Sequence, residues 1–258
     1  MTETDRTVPG ELVHYEIAEG RSGIATITLD SPHNRNALSA QLIGELFERL
    51  ERAENDDAVR VVVLAATGTV FCSGADLSEA SSGADFADGP RTIVRLQRAL
   101  VSHSKPVVCR LQGAVRAGGI GLVAACDIAI AAEGASFALT EVKLGLAPAA
   151  ISLTVLPRMT SRAAAYTCLT GERFTAAQAV EMGLVTTAVP ADGLDVEVAR
   201  VAAELATGSP QGLRETKRLI NAALLANIDA HAEDAAALSA RLFVSDAARE
   251  AMLAFLSK

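Results

Sequence analysis

Tryptophan is absent from these 258 residues and aromatic side chains make up only 3% of them. Half the chain is apolar, so the core must be built mainly from Ala, Val, Leu and Ile, an ordinary globular composition. A basic excess is also missing: 23 Lys and Arg stand against 31 Asp and Glu, a formal charge of -8. That balance argues against nucleic acid as a partner. No run reaches the ~18 apolar residues of a membrane span, and the opening MTETDRTVPGE lacks the apolar stretch of a secretory signal. A cytoplasmic protein with no membrane partner is expected. Cys72, Cys109, Cys126 and Cys168 are widely spaced with no C-x-x-C pair, and the four histidines are as scattered. Neither a disulfide framework nor a metal site is indicated, and the cysteines read as small buried hydrophobes.

What is present is a strand-helix alternation. Leu12 to Ile17 and Ile24 to Leu29 alternate in polarity around Glu19–Gly23, which predicts a hairpin. Leu42, Ile43, Leu46 and Leu50 recur at helical spacing after Ser39, a cap candidate, so a helix is expected from Ser39 to about Asn55. Val59 to Ala66 is a buried β-branched run. The pattern repeats with a helix at 90–103, a strand at 106–111, a helix near 119–125 and a strand at 127–132, which defines an α/β protein. Ser78 to Gly89 reads as a mobile loop. Beyond Ser161 strand signals almost vanish apart from Val185 to Val189, and Ala-rich helices are expected at 162–170, 175–182, 196–206, 210–226 and, in one or two pieces, 230–255.

Three segments could carry chemistry. Gly68-Thr-Val-Phe-Cys-Ser-Gly-Ala-Asp-Leu77 follows a predicted strand, where α/β proteins place ligands. Gly74 would let the chain turn so that the N–H of Ala75 faces a cavity, although a structural glycine explains it equally. In Gln112-Gly-Ala-Val-Arg-Ala-Gly-Gly-Ile-Gly121, Gly118 and Gly119 sit where a loop becomes a helix. Free N–H groups there suit negative charge, while close packing is the alternative. Neither a P-loop nor G-x-G-x-x-G is present. Glu141, in Phe137-Ala-Leu-Thr-Glu-Val-Lys-Leu-Gly-Leu-Ala-Pro148, has an apolar surround that would raise its pKa and suit it to acid/base work. A surface ion pair is the plainer account.

In this order and spacing, together with Asn34-Arg-Asn-Ala-Leu38 and Thr175-Ala-Ala-Gln-Ala-Val-Glu-Met-Gly-Leu-Val185, the segments resemble the enoyl-CoA hydratase/isomerase (crotonase) family. The resemblance implies a spiral of ββα units over 1–195 and a C-terminal helical trimerisation region over 196–258. It implies an acyl-CoA thioester as ligand, with coenzyme A part of the substrate and no separate cofactor. Carried over, the backbone N–H groups of Ala75 and Gly118 form an oxyanion hole and Glu141 is the acid/base. Arg35, Ala37, Ser73, Gly74, Asp76, Leu77, Ser78, Gly119 and Gly121 are assigned to the CoA and acyl site.

One departure matters. Hydratases of this family carry a second glutamate at the position of Gly121, so only one of two carboxylates is present. A single glutamate suits moving a double bond, yet the run Gly118 to Ile130 with Glu141 to Pro148 looks closest to a methylglutaconyl-CoA hydratase-like branch that also has glycine there. Hydration therefore leads, with isomerisation and non-catalytic acyl-CoA binding as alternatives. Restoring glutamate at Gly121 is expected to raise hydration if space allows. Arg116 could meet a carboxylate on a branched acyl tail. Leu213, Leu219, Ile220, Leu224 and Leu242 give the C-terminal helices more apolar surface than one core needs, so a homotrimer or hexamer is expected.

Overall fold

The computed structural model describes residues 10–17, 23–76, 79 and 88–256. A six-stranded sheet is ordered β1 (Val13–Ile17), β2 (Ile24–Leu29), β3 (Val61–Ala66), β5 (Val107–Leu111), β7 (Ile128–Ala132) and β10 (Thr187–Val189). The hairpin β1–β2 is antiparallel, Val13 facing Leu29, and the other pairings are parallel. Both faces of the centre are covered, which is why β3 is an unbroken apolar run. Ile27, Leu29, Val62, Leu64 and Leu111 join the main core, while Val61, Val63, Val108 and Ile130 meet Leu194, Val198 and Ala202 on the opposite face. Burying each such Val or Leu contributes ~1.5–3 kcal/mol.

A second sheet, ordered β4 (Val70–Cys72), β6 (Ala114–Arg116), β8 (Ser136–Ala138) and β9 (Phe174–Thr175), has parallel β4, β6 and β8 and an antiparallel β9. These strands, absent from the sequence-based expectations, are only two or three residues long, too short to show a period. Each of the first three follows a strand of the large sheet after a short turn, and two lead directly into helices. That is the ββα spiral.

The helices obey local rules. In α1 (Ala40–Asn55) the Ser39 hydroxyl accepts from Leu42 N–H, and Leu42, Ile43, Leu46, Leu50 and Ala53 turn inward. After α2 (Asp88–Ser102) and α3 (Gly118–Ala125) comes α4 (Ala149–Arg158), a helix the sequence reading did not anticipate, with Pro157 in its last turn. Then follow α5 (Ser161–Thr170), α6 (Ala176–Glu181), with a reciprocal Thr175–Gln178 capping box, and α7 (Leu194–Ala206). The loop expected to run to Gly89 ends by Asp88, where α2 starts; Ser78 and most of that segment, and all of Glu19–Gly23 but Gly23, lie outside the described residues.

The largest correction is at the C-terminus, where the two helices expected at 210–226 and from 230 are one, α8 (Pro210–Phe243), followed by α9 (Asp246–Leu256). Asn227 and Asp229 look like a break but bond to neighbours instead. Asn227 Nδ2 donates to Leu153 O at 3.0 Å, Asp229 accepts from Arg98, and Ile228 between them is fully buried. Lower down, buried Lys217 donates to Asp127 Oδ2 (2.8 Å), Leu100 O (2.9 Å) and Lys105 O (3.0 Å). Asn221 donates to the other Asp127 oxygen at 2.9 Å. With its donors paired, this buried ion pair can be tolerated and fixes α8 on the sheet.

Candidate active site

Three segments leave the C-terminal ends of the adjacent parallel strands β4, β6 and β8. They are the turn holding Gly74 and Ala75, the start of α3 at Gly118, and a 3-10 turn at Glu141–Leu144. Strand C-termini are where open α/β sheets leave room for a ligand, and the small sheet aligns all three. Its inner side is filled by Val115, Phe137 and Phe174, the two rings stacked 5.5 Å apart.

The first turn is locked to the segment after β2. Leu38 N–H donates to Gly74 O at 2.8 Å, Ser73 N–H to Arg35 O at 3.1 Å and Asn34 Nδ2 to Asp76 Oδ2 at 3.1 Å. Arg35 and Asn36 both have positive φ, 61° and 52°. Asn36 was not singled out from the sequence, yet it holds this turn. Fully buried, its Oδ1 accepts from Ser31 N–H at 2.7 Å, and its Nδ2 donates to Thr67 O and Val70 O at 3.0 and 2.8 Å. The available signal was an amide that follows two other polar residues and stands just ahead of the Ala37-Leu38 pair.

Across a trans peptide the N–H points opposite to the preceding carbonyl. Gly74 O faces Leu38, so the N–H of Ala75 faces away from it. Gly74 has φ +96°, and a Cβ there would lie 2.8 Å from Ala117 Cβ and 3.2 Å from Gly118 N. Only glycine lets the two turns approach so closely. A Cβ on Gly118 would in turn lie 3.6 Å from Ala75 N, so the two N–H groups are neighbours. Gly118 opens α3, where N–H groups have no acceptor within the helix. Ala117 before it sits at φ 45°, ψ -119°, a conformation costing a residue with a Cβ about 1–3 kcal/mol.

Glu141 is 9% exposed and its Oε2 has no hydrogen-bond partner among the described residues. Desolvation pushes its pKa from 4.5 up to about 7, against a smaller opposing bond from its own backbone. The Cys168 thiol on α5 is pushed upward by burial and then by the Glu141 charge. Cys72, Cys109 and Cys126 are buried and free.

The structure thus brings Arg35, Ala37, Ser73, Gly74, Ala75, Asp76 and Gly118 together. Gly119 and Gly121 face protein instead. A Cβ at Gly119 would meet Cys72 Cβ and O at 2.8 Å, and one at Gly121 would meet Ile151 Cγ2 at 2.6 Å and Gln97 Oε1 at 3.1 Å. Gln97 is itself held by Thr154 Oγ1 at 2.5 Å and Ala150 O at 3.1 Å. The space on which the expected gain from Gly121→Glu depended is therefore filled by α4. Arg116, a candidate for meeting a carboxylate on the acyl tail, has its guanidinium donating to Val115 O, Ser136 O and Ser136 Oγ, at the start of β8. Leu77 and Ser78 lie outside the described residues. Among the described residues no His, Cys, Asp and Glu cluster could hold a metal, and no helix is long and apolar enough to cross a membrane.

Paired backbone donors beside a buried carboxyl that titrates near neutrality suit enzymes that make and quench an enolate. Residues 19–258 match the family model described as enoyl-CoA hydratase/isomerase. A Rhodobacter capsulatus protein named "Probable enoyl-CoA hydratase" is 35% identical over 252 residues, covering 95% of each chain. A solved enoyl-CoA hydratase from Mycobacterium avium superposes with TM-score 0.89 at 50% identity, covering 95% of this chain and 96% of that one. Another from Mycobacterium avium subsp. paratuberculosis gives 0.84 at 31% identity with the same coverage. The chain belongs to the enoyl-CoA hydratase/isomerase family and has its crotonase fold. It is an enzyme of the hydratase/isomerase kind.

Proposed function

We propose that the chain hydrates a 2-enoyl-CoA thioester, with Glu141 as its sole acid/base and the N–H groups of Ala75 and Gly118 holding the thioester oxygen. The observation that carries this reading is the Glu141 carboxyl, buried, unpartnered at Oε2 and titrating near 7, at the end of the strand beside the one that leads to Gly118. As water adds to C3, its proton passes to Glu141 and charge collects on the thioester oxygen as an enolate. Two fixed donors stabilise that charge without reorganising. Protonated Glu141 then delivers the proton to C2, so one carboxyl serves both halves. Arg35, Ala37, Ser73, Gly74 and Asp76, with Leu77 and Ser78, are assigned to the CoA and acyl site. A branched, 3-methylglutaconyl-like acyl chain is one candidate.

A second reading, moving a double bond from C3–C4 to C2–C3 by taking a proton from C2 and returning it at C4, is favoured by Gly121, where Ile151 leaves no space for another carboxylate. Removing and returning one proton needs only Glu141. Incubation with 2-enoyl-, 3-enoyl- and 3-methylglutaconyl-CoA, followed by mass and NMR, separates the two. A product heavier by one water supports hydration, an isomer of equal mass supports the second reading, and no turnover would favour a binding protein.

The assembly proposed is a homotrimer, two of which could pair. Helix α8 turns Leu224, Ile228, Ala235 and Ala236 to its own chain, so it is docked already. Leu219, Ile220, Val244 and Leu253 nonetheless remain 63–77% exposed, a second apolar face that closed symmetry would cover. Light scattering after size exclusion tests this, since a mass near one 26.7 kDa chain at micromolar concentration would refute it.

A further inference from the structure

The turn that aims the Gly118 N–H is strained, and the side chain beside it is fastened more firmly than a surface arginine needs. Arg116 ends β6 with its guanidinium folded along the small sheet. Nη1 donates to Ser136 O at 2.6 Å and Val115 O at 2.9 Å, and Nη2 donates to Ser136 Oγ at 3.0 Å. Among the described residues no carboxylate pairs with Arg116. The side chain is half-buried, and burial with the neighbouring Arg173 charge works against its protonated form. One residue on, Ala117 N–H donates to Ala138 O at 3.2 Å and Ala117 O accepts from Ile120 at 2.8 Å. Between those bonds Ala117 is held at φ 45°, pressed against Gly74.

We propose that Arg116 is a positioning residue, a clamp joining β6 to β8 that keeps Ala117 in its strained conformation and so fixes the direction of the Gly118 N–H. The proposal rests on Ala75 and Gly118 being the oxyanion donors. A planar fork fixes the directions of its bonds to the Ser136 carbonyl and hydroxyl, whereas an ammonium on a flexible stem leaves its donors free to rotate. Once the clamp is cut, the strain at Ala117 can relax by rotating the peptide that carries the donor.

The test is a cycle of Arg116→Met and Ala117→Gly, read by kcat, KM, thermal midpoint and the infrared carbonyl stretch of bound carbonyl-labelled butanoyl-CoA. Arg116→Met should lower kcat ~10-fold, a part of the ~10²- to 10³-fold loss of a whole donor, with KM changed less. The bound carbonyl should shift back toward its free frequency. Ala117→Gly removes the strain, so in that background Arg116→Met should cost less than ~3-fold. Arg116→Lys, which keeps charge without the fork, should resemble methionine.

A folded Arg116→Met with wild-type kcat and carbonyl frequency overturns the clamp, as does an equal loss in both backgrounds. Should Arg116→Met fail to fold, an active Arg116→Met/Ala117→Gly protein supports the proposal, and a double variant that also fails assigns Arg116 to bulk stability. The infrared readout needs binding alone. Gly118→Pro tests the donors independently: if it stays active the oxyanion reading fails, and if it alone is dead only the clamp fails.

Discussion

The two sheets divide the labour of this protein. Apart from the three-residue β10, the six-stranded sheet has strands of five or six residues, covered on both faces at its centre, and holds much of the core. The four-stranded one has strands of two or three residues, and from its edge emerge Ala75, Gly118 and Glu141. The first is stabilised by apolar area. The second is held by specific bonds, among them the Asn36 amide, the Arg116 fork and the Ala117 to Ala138 link. A region fixed by area tolerates conservative exchange, whereas one fixed by a few directed bonds can keep unfavourable backbone and unpaired polar groups in place.

Mutations in the two sheets should therefore separate stability from turnover. Leu64, fully buried in the large sheet, should on change to alanine cost ~2–5 kcal/mol in denaturant unfolding and leave the activity of each folded molecule unchanged. A proportional drop in kcat would erase the distinction. In the small sheet Gly118→Pro should do the reverse. The first position of a helix accepts proline, so the fold survives while loss of the donor lowers kcat by ~10²- to 10³-fold. Glu141→Gln should likewise keep fold and thioester binding but lose at least ~10²-fold in kcat with little change in KM. Similar activity with glutamine would remove Glu141 from the chemistry.

Gly121→Glu probes the contact between helices behind the site. With Ile151 at 2.6 Å from any Cβ, the variant should lose ~3 kcal/mol or more through overpacking and a buried charge and gain no hydration. Ile151→Gly in the same chain should recover part of that stability. The smallest effect is in pH. Glu141 has a folded pKa of about 7 against an ordinary 4.5, so the fold favours its protonated form. The stability it allows is complete below pH 4.5, declines as pH rises toward 7 and then levels off. Between pH 5 and 8 the wild type should lose roughly 2 kcal/mol that Glu141→Gln keeps. In activity the same group should give kcat/KM an acid limb near pH 7. Parallel stability curves for the two proteins would mean that Glu141 is not desolvated.

Sequence by itself determined the strand segments of the large sheet, helix α1 with its Ser39 cap and the α/β class, because each rests on a pattern within one segment, whereas the order and pairing of those strands came from the fold. It also marked Ala75, Gly118 and Glu141, through the order of segments that resemble the family. Strands of two or three residues carry no period, so the small sheet became visible only when its neighbours paired with it. Helix α4, with Pro157 in its last turn, and the continuity of α8 across Asn227 to Asp229 were likewise decided by partners distant in the chain. Tertiary structure alone placed Ile151 against Gly121 and tied Arg116 to Ser136, because close approach and side-chain direction depend on which segments meet, and a single strand of letters does not record that.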